Sequence, residues 1–383
     1  MSSSIPGPIE VTDEVLYANA HPSMAHTSPE FIPVFGDCIR MTRDVLFTKD
    51  AQPFIISGSG TLGWDQVAAN LVEPNDNVLV LHSGYFGDSF AECLESYGAN
   101  VTELQASLGH GVSPSQLERA LREKQYKMVT LTHVDTSTGV LSDAKALAGV
   151  VHDVSPDALV VVDAVCSVAS EEIRMDDWGL DVVLTASQKG LGTPPGLSIL
   201  VASQRALGVF RKRIAPVSSY YVSWKKWLPI MEAYEANRPA YFATPPVNLI
   251  YAYNISLKQI VRSPALPLTE RFKRHNQASQ TVKDALECLG LVQVAQCKEE
   301  RANGMTAVYF PEGVTAADLL PRMASRGVVI AGGLHKDIKD KYFRIGHMGV
   351  TAVDEKRGDI EKIVNSLRDS FADIKAQKNH VKH

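Results

Sequence analysis

At 383 residues the chain is long enough for two domains or three, at roughly 100–200 residues each. Apolar residues at 45 % and charged residues at 21 % exclude disorder over most of the length. The balance of 38 Lys and Arg against 43 Asp and Glu gives a net charge of −5, with no basic footprint for nucleic acid.

The first 30 residues carry Pro6, Pro8, Pro22 and Pro29 with little periodicity, which predicts an extended arm. From about residue 54, short β-branched runs at 53–57, 77–82, 128–133, 159–163, 182–185 and 197–202 alternate with amphipathic segments at 65–71, 90–97, 114–124 and 144–152. Continuous apolar strands of this length are expected where helices cover both faces of a sheet. Ser113-Pro114-Ser115 followed by Gln116 reads as a helix start, with proline in the first turn. The repeated alternation predicts an α/β domain with a mostly parallel sheet. Between 205 and 260 the pattern weakens into aromatic and proline-rich loops. Beyond Ser263-Pro264 a long polar helix at 268–289, strands near 307–310 and 328–330, and a final helix at 354–372 predict a smaller α+β domain. The predicted division is an N-terminal arm at 1–20, a large domain at 21–262 and a small domain at 263–383.

Five cysteines (Cys38, Cys93, Cys166, Cys288, Cys297) are odd in number and never spaced as CxxC, which predicts reduced thiols. No apolar run reaches the roughly 18 residues that cross a bilayer. The start lacks the basic and apolar regions of a secretory signal, and Val381-Lys382-His383 is not a peroxisomal ending. A cytoplasmic protein is expected, with peroxisomal or mitochondrial placement left open.

Three features carry chemistry. Ser57-Gly58-Ser59-Gly60-Thr61-Leu62-Gly63 follows an apolar strand and precedes a helix, so bare backbone and free N–H groups face whatever anion binds there. Gly58, Gly60 and Gly63 also fit the glycine pattern of a dinucleotide site. That reading needs an acidic residue ending the next strand, and the strand ends instead in His82 and Ser83. A phosphate cradle is the stronger reading, and a tight turn that binds nothing is the bland one. Second, Lys189 lies just past the strand at 182–185, among glycines and prolines, where a desolvated amine can attack a carbonyl. Third, Asp163 ends a strongly apolar strand, and a buried carboxylate there calls for a cationic partner or a helix to cap.

With these features in order, the sequence resembles the class V, fold-type I aminotransferases dependent on pyridoxal 5′-phosphate (PLP). Within them it is most similar to alanine–glyoxylate aminotransferases of fungal type. The marks are SGSGT at 57–61, THVDTSTGV at 132–140, VVDAV at 161–165, SQKGLGTPPG at 187–196 and RIGHMG at 344–349. The resemblance implies a large domain with a mostly parallel seven-stranded sheet, a small C-terminal domain and an N-terminal arm. It implies that Lys189 forms the aldimine with PLP and shuttles protons, and that Asp163 pairs with the pyridine nitrogen. Ser59, Gly60, Thr61 and Gln188 would hold the phosphate, joined by Tyr241 and Thr244 from a neighbouring subunit, which makes the expected assembly a homodimer with composite sites. Thr136 would lie near the cofactor's 3-oxygen. Phe86 stands where relatives stack a tryptophan on the ring. Arg344 would grip the substrate carboxylate, with Gly7 beside it.

The reaction so implied is L-alanine plus glyoxylate giving pyruvate plus glycine, in a ping-pong cycle. A dicarboxylate would want a second cation; Lys225, Lys226, Arg238 and His335 are the ones to weigh, each more simply read as a solvated charge. Serine–pyruvate or serine–glyoxylate transamination would use the same residues. A class V lyase such as a cysteine desulfurase would need a mobile catalytic cysteine, for which Cys288 and Cys297 offer little. An NAD-dependent oxidoreductase would leave Lys189 unexplained. No metal motif is present: HExxH is missing and cysteines are unpaired.

Overall fold

The computed structural model describes residues 2–381; Met1 of the arm and Lys382-His383 of the terminal tripeptide weighed above fall outside the described residues. The strands in chain order are β1 (Ser2–Ser3), β2 (Gln52–Ser57), β3 (Asn77–His82), β4 (Asn100–Gln105), β5 (Met128–Thr132), β6 (Leu159–Asp163), β7 (Val182–Ala186), β8 (Leu197–Ala202), β9 (Met305–Tyr309), β10 (Val328–Val329), β11 (Ala331–Gly332) and β12 (Tyr342–Gly346). The helices through the first two thirds are α1 (Asp13–Asn19), α2 (Phe31–Val45), α3 (Thr61–Leu71), α4 (Tyr85–Ser96), α5 (Pro114–Glu123), α6 (Ala144–Val154), α7 (Gln204–Arg211), α8 (Trp224–Glu235) and α9 (Val247–Val261). The rest are α10 (Leu268–Cys288), α11 (Ala316–Ser325), α12 (Val350–Val353) and α13 (Asp359–Val381).

Seven strands form one sheet in the order β2-β8-β7-β6-β5-β3-β4. All run the same way except β8, which is antiparallel to both β7 and β2. The β5, β6 and β7 strands are buried along their whole length, as continuous apolar runs under helices must be. One consequence decides the site: the carboxyl ends of β2, β3, β5, β6 and β7 share one edge of the sheet. The glycine turn, Asp163 and the Lys189 loop therefore meet, although they come from three separate crossovers.

The predicted start of α5 is present in full. Ser113 Oγ accepts from Gln116 N while Gln116 Oε1 accepts from Ser113 N, with Pro114 in the first turn. The small domain is a three-stranded antiparallel sheet, β11-β12-β9, backed by α10, α11 and α13 on its own core, including Val282, Leu319, Ile345, Ile363 and Leu367. A third apolar cluster joins Ile9 of the arm to Val134 and Cys166 of the large domain and to Met305, Tyr342 and Met348 of the small one. That cluster lies beside the sheet edge and locks the three parts together there.

Several elements depart from expectation. The arm is not wholly extended: Thr12 Oγ1 accepts from Val15 N and opens α1. Helix α2 hides in a segment where Pro33 and Gly36 mask its pattern, yet Phe31, Phe35, Cys38 and Ile39 face the core from it. Strand β4 is an edge strand with alternating, partly exposed residues, so it lacks the apolar run that marks the others. The region at 205–260 is three helices, including α8 with Pro229 inside it. Its tryptophans and two of its tyrosines are core: Trp224 stacks on Phe54 of β2 at 4.9 Å, and Trp227, Tyr234 and Tyr253 are buried. The final helix begins at Asp359, later than predicted, because α12 and a 3₁₀ turn precede it.

Candidate active site

At the carboxyl edge of the sheet lies a cavity of about 180 Å³. Eight of the predicted residues line it: Ser59, Gly60, Thr61, Phe86, Thr136, Asp163, Gln188 and Lys189. They converge there from five chain segments.

Each is placed by a local cause. Asp163 ends β6, and its two oxygens accept from Val165 N at 3.0 Å and Trp64 Nε1 at 2.7 Å. Burial pushes its carboxyl up to about 6, against the opposing pull of those two hydrogen bonds. A carboxylate so placed is short of a positive charge, the complement of a protonated pyridine. Lys189 is buried, and burial holds its amine below the usual lysine range. Its Nζ donates to Pro6 O at 2.5 Å, so the arm closes over the lysine. Gly7 is forced there: with φ +138°, a Cβ on it would stand 2.6 Å from Lys189 Cδ and 2.7 Å from Cε. The arm is held in place by Ile9 N donating to Gln188 O at 3.1 Å and Gly346 N donating to Ser4 O at 2.6 Å.

The glycine turn leads straight into α3, which no side chain caps. Gly60 packs so tightly that a Cβ would lie 2.7 Å from Val165 Cγ2. Bare backbone and an open helix end therefore face the cavity, with the Ser59 and Thr61 hydroxyls beside them. Gln188 Oε1 is buried with no hydrogen-bond partner, a polar atom waiting for a donor.

Arg344 on β12 is half-buried and reaches the site by its neighbour: Nη1 donates to Thr136 O at 3.2 Å and Nε to Gly332 O at 2.8 Å. Burial lowers its pKa from the ordinary arginine value, yet the guanidinium keeps further donors to offer. Neither Arg344 nor Gly7 lines the cavity wall itself. Tyr241 is 67 % exposed and Thr244 is exposed, and neither lines the cavity of its own chain. Lys225, Lys226 and Arg238 are exposed and His335 is buried; none lines the cavity. Cys288 is exposed, and Cys297 lies beside His110; neither belongs to the cavity wall.

Sequence reasoning missed three residues. Trp64 holds Asp163 through its indole and stacks on Phe90 at 5.6 Å. Its signal was available, because a buried carboxylate needs donors and this indole lies one helical turn past Gly60. Asp135 accepts from Ser137 N at 2.8 Å, from Ser137 Oγ at 2.5 Å and from Phe86 N at 3.3 Å, tying the start of α4 to the Thr136 loop. Cys166 lines the cavity unannounced by any motif.

The dinucleotide alternative fails on topology. The strand before the glycine turn, β2, stands at the sheet edge beside antiparallel β8, and β3 lies at the far side of the sheet. A dinucleotide unit needs these two strands as parallel neighbours, so no ribose partner can stand next to the turn.

A fold-type I architecture with a buried strand-end aspartate, a desolvated lysine and a bare glycine cradle defines a class of enzyme that works through a bound aldehyde cofactor. The comparisons with known proteins agree. Residues 10–348 match the family model described as aminotransferase class-V, and the chain belongs to that family. It is 45 % identical over 359 residues to alanine–glyoxylate aminotransferase 1 of Saccharomyces cerevisiae, covering 91 % of this chain and 92 % of that one. It is 31 % identical to L-aspartate–glyoxylate aminotransferase of Paracoccus denitrificans, covering 90 % and 85 %. Among solved structures, alanine–glyoxylate aminotransferase from Nostoc sp. superposes with a TM-score of 0.88 at 28 % identity, covering 96 % of this chain and 94 % of that one. The protein is a PLP-dependent aminotransferase that moves an amino group between amino and keto acids.

The residues present fit the cofactor. A carboxyl held up by burial suits a cationic ring nitrogen, the glycine cradle with the uncapped start of α3 and the Ser59 and Thr61 hydroxyls offers donors to an anionic group, and the lysine is the buried amine that such an aldehyde needs.

Proposed function

We propose that this enzyme transfers the amino group of L-alanine to glyoxylate, giving pyruvate and glycine in two alternating half-reactions. The observation that carries the choice of small monocarboxylates is the cation inventory. Among the described residues lining the cavity Lys189 is the only cation, and Arg344 is the one guanidinium tied to its wall, through Thr136. One guanidinium binds one carboxylate, which leaves no second cation at the wall for the side chain of a dicarboxylate. The relatives named for glyoxylate support the acceptor.

The roles follow from placement. When bound, PLP supplies a carbonyl for the amino group and an electron-withdrawing ring that acidifies the substrate Cα–H. Asp163, as the anion, keeps the pyridine nitrogen protonated. Ser59, Gly60, Thr61 and Gln188 bind the phosphate, with Tyr241 and Thr244 of a second copy of the chain completing it in a homodimer. Phe86 gives the ring a flat apolar face, and Thr136 meets its 3-oxygen. Arg344 takes the substrate carboxylate in a fork, which fixes the direction of the Cα–H bond. Lys189 Nζ, neutral once burial has lowered its basicity, takes the Cα proton and gives it up again without leaving the cavity. Gly7 and Pro6 of the arm close that side against water.

The experiment is a spectral titration of the purified protein. L-alanine should bleach the visible absorbance and release pyruvate, and glyoxylate should then restore it with release of glycine. A protein that responds to serine or aspartate but not to alanine overturns the donor assignment. One that shows no response to any amino acid overturns the roles of Lys189 and Arg344.

A further inference from the structure

Away from the active-site cavity, the loop after β4 meets the first turn of the small domain's 3₁₀ segment, Lys298–Glu300. Three side chains converge there. His110 Nδ1 lies 3.2 Å from a Glu300 oxygen and 3.7 Å from Cys297 Sγ, and all three ligand atoms fall within 4.8 Å of one another. We propose that His110, Cys297 and Glu300 bind one zinc ion, with water in the fourth position.

Cys297 and Glu300 are three residues apart across a 3₁₀ turn, where side chains at that spacing eclipse and point the same way. In a catalytic relay, the thiol and the carboxylate would meet opposite nitrogens of the imidazole. Here both meet Nδ1, so the three groups surround a point, which is a coordination geometry. Tetrahedral zinc with Zn–S of about 2.3 Å and Zn–N or Zn–O of about 2.0–2.1 Å needs S–N and N–O edges of about 3.6 and 3.3 Å. The observed 3.7 and 3.2 Å match within the tolerance of such sites. The other candidate cluster, His82 with Asp88 and Glu103, fails the same test. Its carboxylates sit at 3.1 Å from opposite nitrogens, so one ion cannot bridge them.

The ligands are also held from behind. Gly111 N donates to the second Glu300 oxygen at 3.1 Å, fixing the carboxylate as an outer partner does in metal sites. Gln296 N donates to Gly109 O at 2.9 Å and Leu141 N to Glu300 O at 2.7 Å, which pins both segments in register. Thiolate, imidazole and carboxylate together favour zinc over magnesium or calcium. Binding releases the Cys297 thiol proton to solvent and ties the large domain to the small one, so zinc stabilises the pair.

The test uses the PLP-loaded enzyme, kept reduced, stripped with chelator and titrated with zinc, then with cobalt(II) as the coloured probe. One zinc per chain is expected at micromolar concentration, with cobalt d–d bands to the red of the cofactor's absorption. Zinc should also raise the melting temperature. C297S and H110A should each weaken binding at least about 100-fold, beyond what outer partners contribute, while C288S leaves it unchanged. Absence of stoichiometric binding overturns the proposal, as does binding that C297S and H110A leave intact.

Discussion

Replacing Asp163 with asparagine tests the central electrostatic reading of the site. In the folded chain without cofactor, burial holds this carboxyl at about 6 against an ordinary 3.8. The gap is about two pH units, or about 3 kcal/mol at 1.36 kcal/mol per unit. Because the folded value is the higher one, the native state binds the extra proton in the window between the two. Stability from this group is therefore full below about pH 4 and is lost as the pH rises through about 6. Asparagine removes that titration but turns one of the two acceptor contacts, to Val165 N or Trp64 Nε1, into a clash of donors, costing about 1–3 kcal/mol at every pH. The expected result for cofactor-free protein is a variant less stable than wild type near pH 4 and as stable or more so near pH 8. The difference in urea unfolding free energy should shift by about 3 kcal/mol between those limits. In the loaded enzyme the sign reverses, because the variant has lost the counter-charge to the ring nitrogen, and transamination collapses. A stability difference that does not change with pH would refute the reasoning.

Four further outcomes follow from the same geometry. Gly60→Ala drives a Cβ into Val165, so PLP affinity measured by equilibrium dialysis should fall at least about tenfold, and Val165→Ala in the same chain should recover most of it. Gly7→Ala pushes on the stem of Lys189 from a backbone angle that only glycine adopts freely; turnover should drop at least about 100-fold with the melting temperature little changed. Trp64→Phe keeps the ring but deletes its hydrogen bond to Asp163, and PLP affinity should fall about 10-fold or more, the worth of a hydrogen bond to a charged group. If Tyr241 and Thr244 serve the neighbouring subunit, mixing inactive Lys189→Ala protein with a Tyr241→Ala/Thr244→Ala variant and allowing exchange should restore about a quarter of wild-type activity, from one intact site in each mixed dimer; no recovery after proven exchange refutes the composite site.

The sequence by itself determined the chemistry-bearing segments. The apolar runs before Asp163 and Lys189 specified buried parallel strands, and the glycines after β2 specified a turn with bare backbone, because each of these signals is local. The start of α5 was legible for the same reason, since a capping box spans only four residues. Where burial decided the element, the local pattern was silent. Helix α2 carries proline and glycine and still forms, because its aromatic face packs on the core, and α8 accommodates Pro229 for a like reason. Edge strand β4 lacks an apolar run because its residues stay partly exposed, whereas β2 at the opposite edge is buried.

Tertiary structure alone decided three things. It put the carboxyl ends of β2, β6 and β7 on one edge, which no single segment encodes. It brought Trp64 to Asp163 across 99 residues and Pro6 to Lys189 across 183, closing a ring of partners around two costly buried groups. And it gathered His110, Cys297 and Glu300, whose separation along the chain hides them from any motif, with their ligand atoms within 4.8 Å of one another. For the buried pair Asp163 and Lys189 the physical reason is that a charge or donor buried by the fold must find its partner in space, and the sequence states only that a partner is needed.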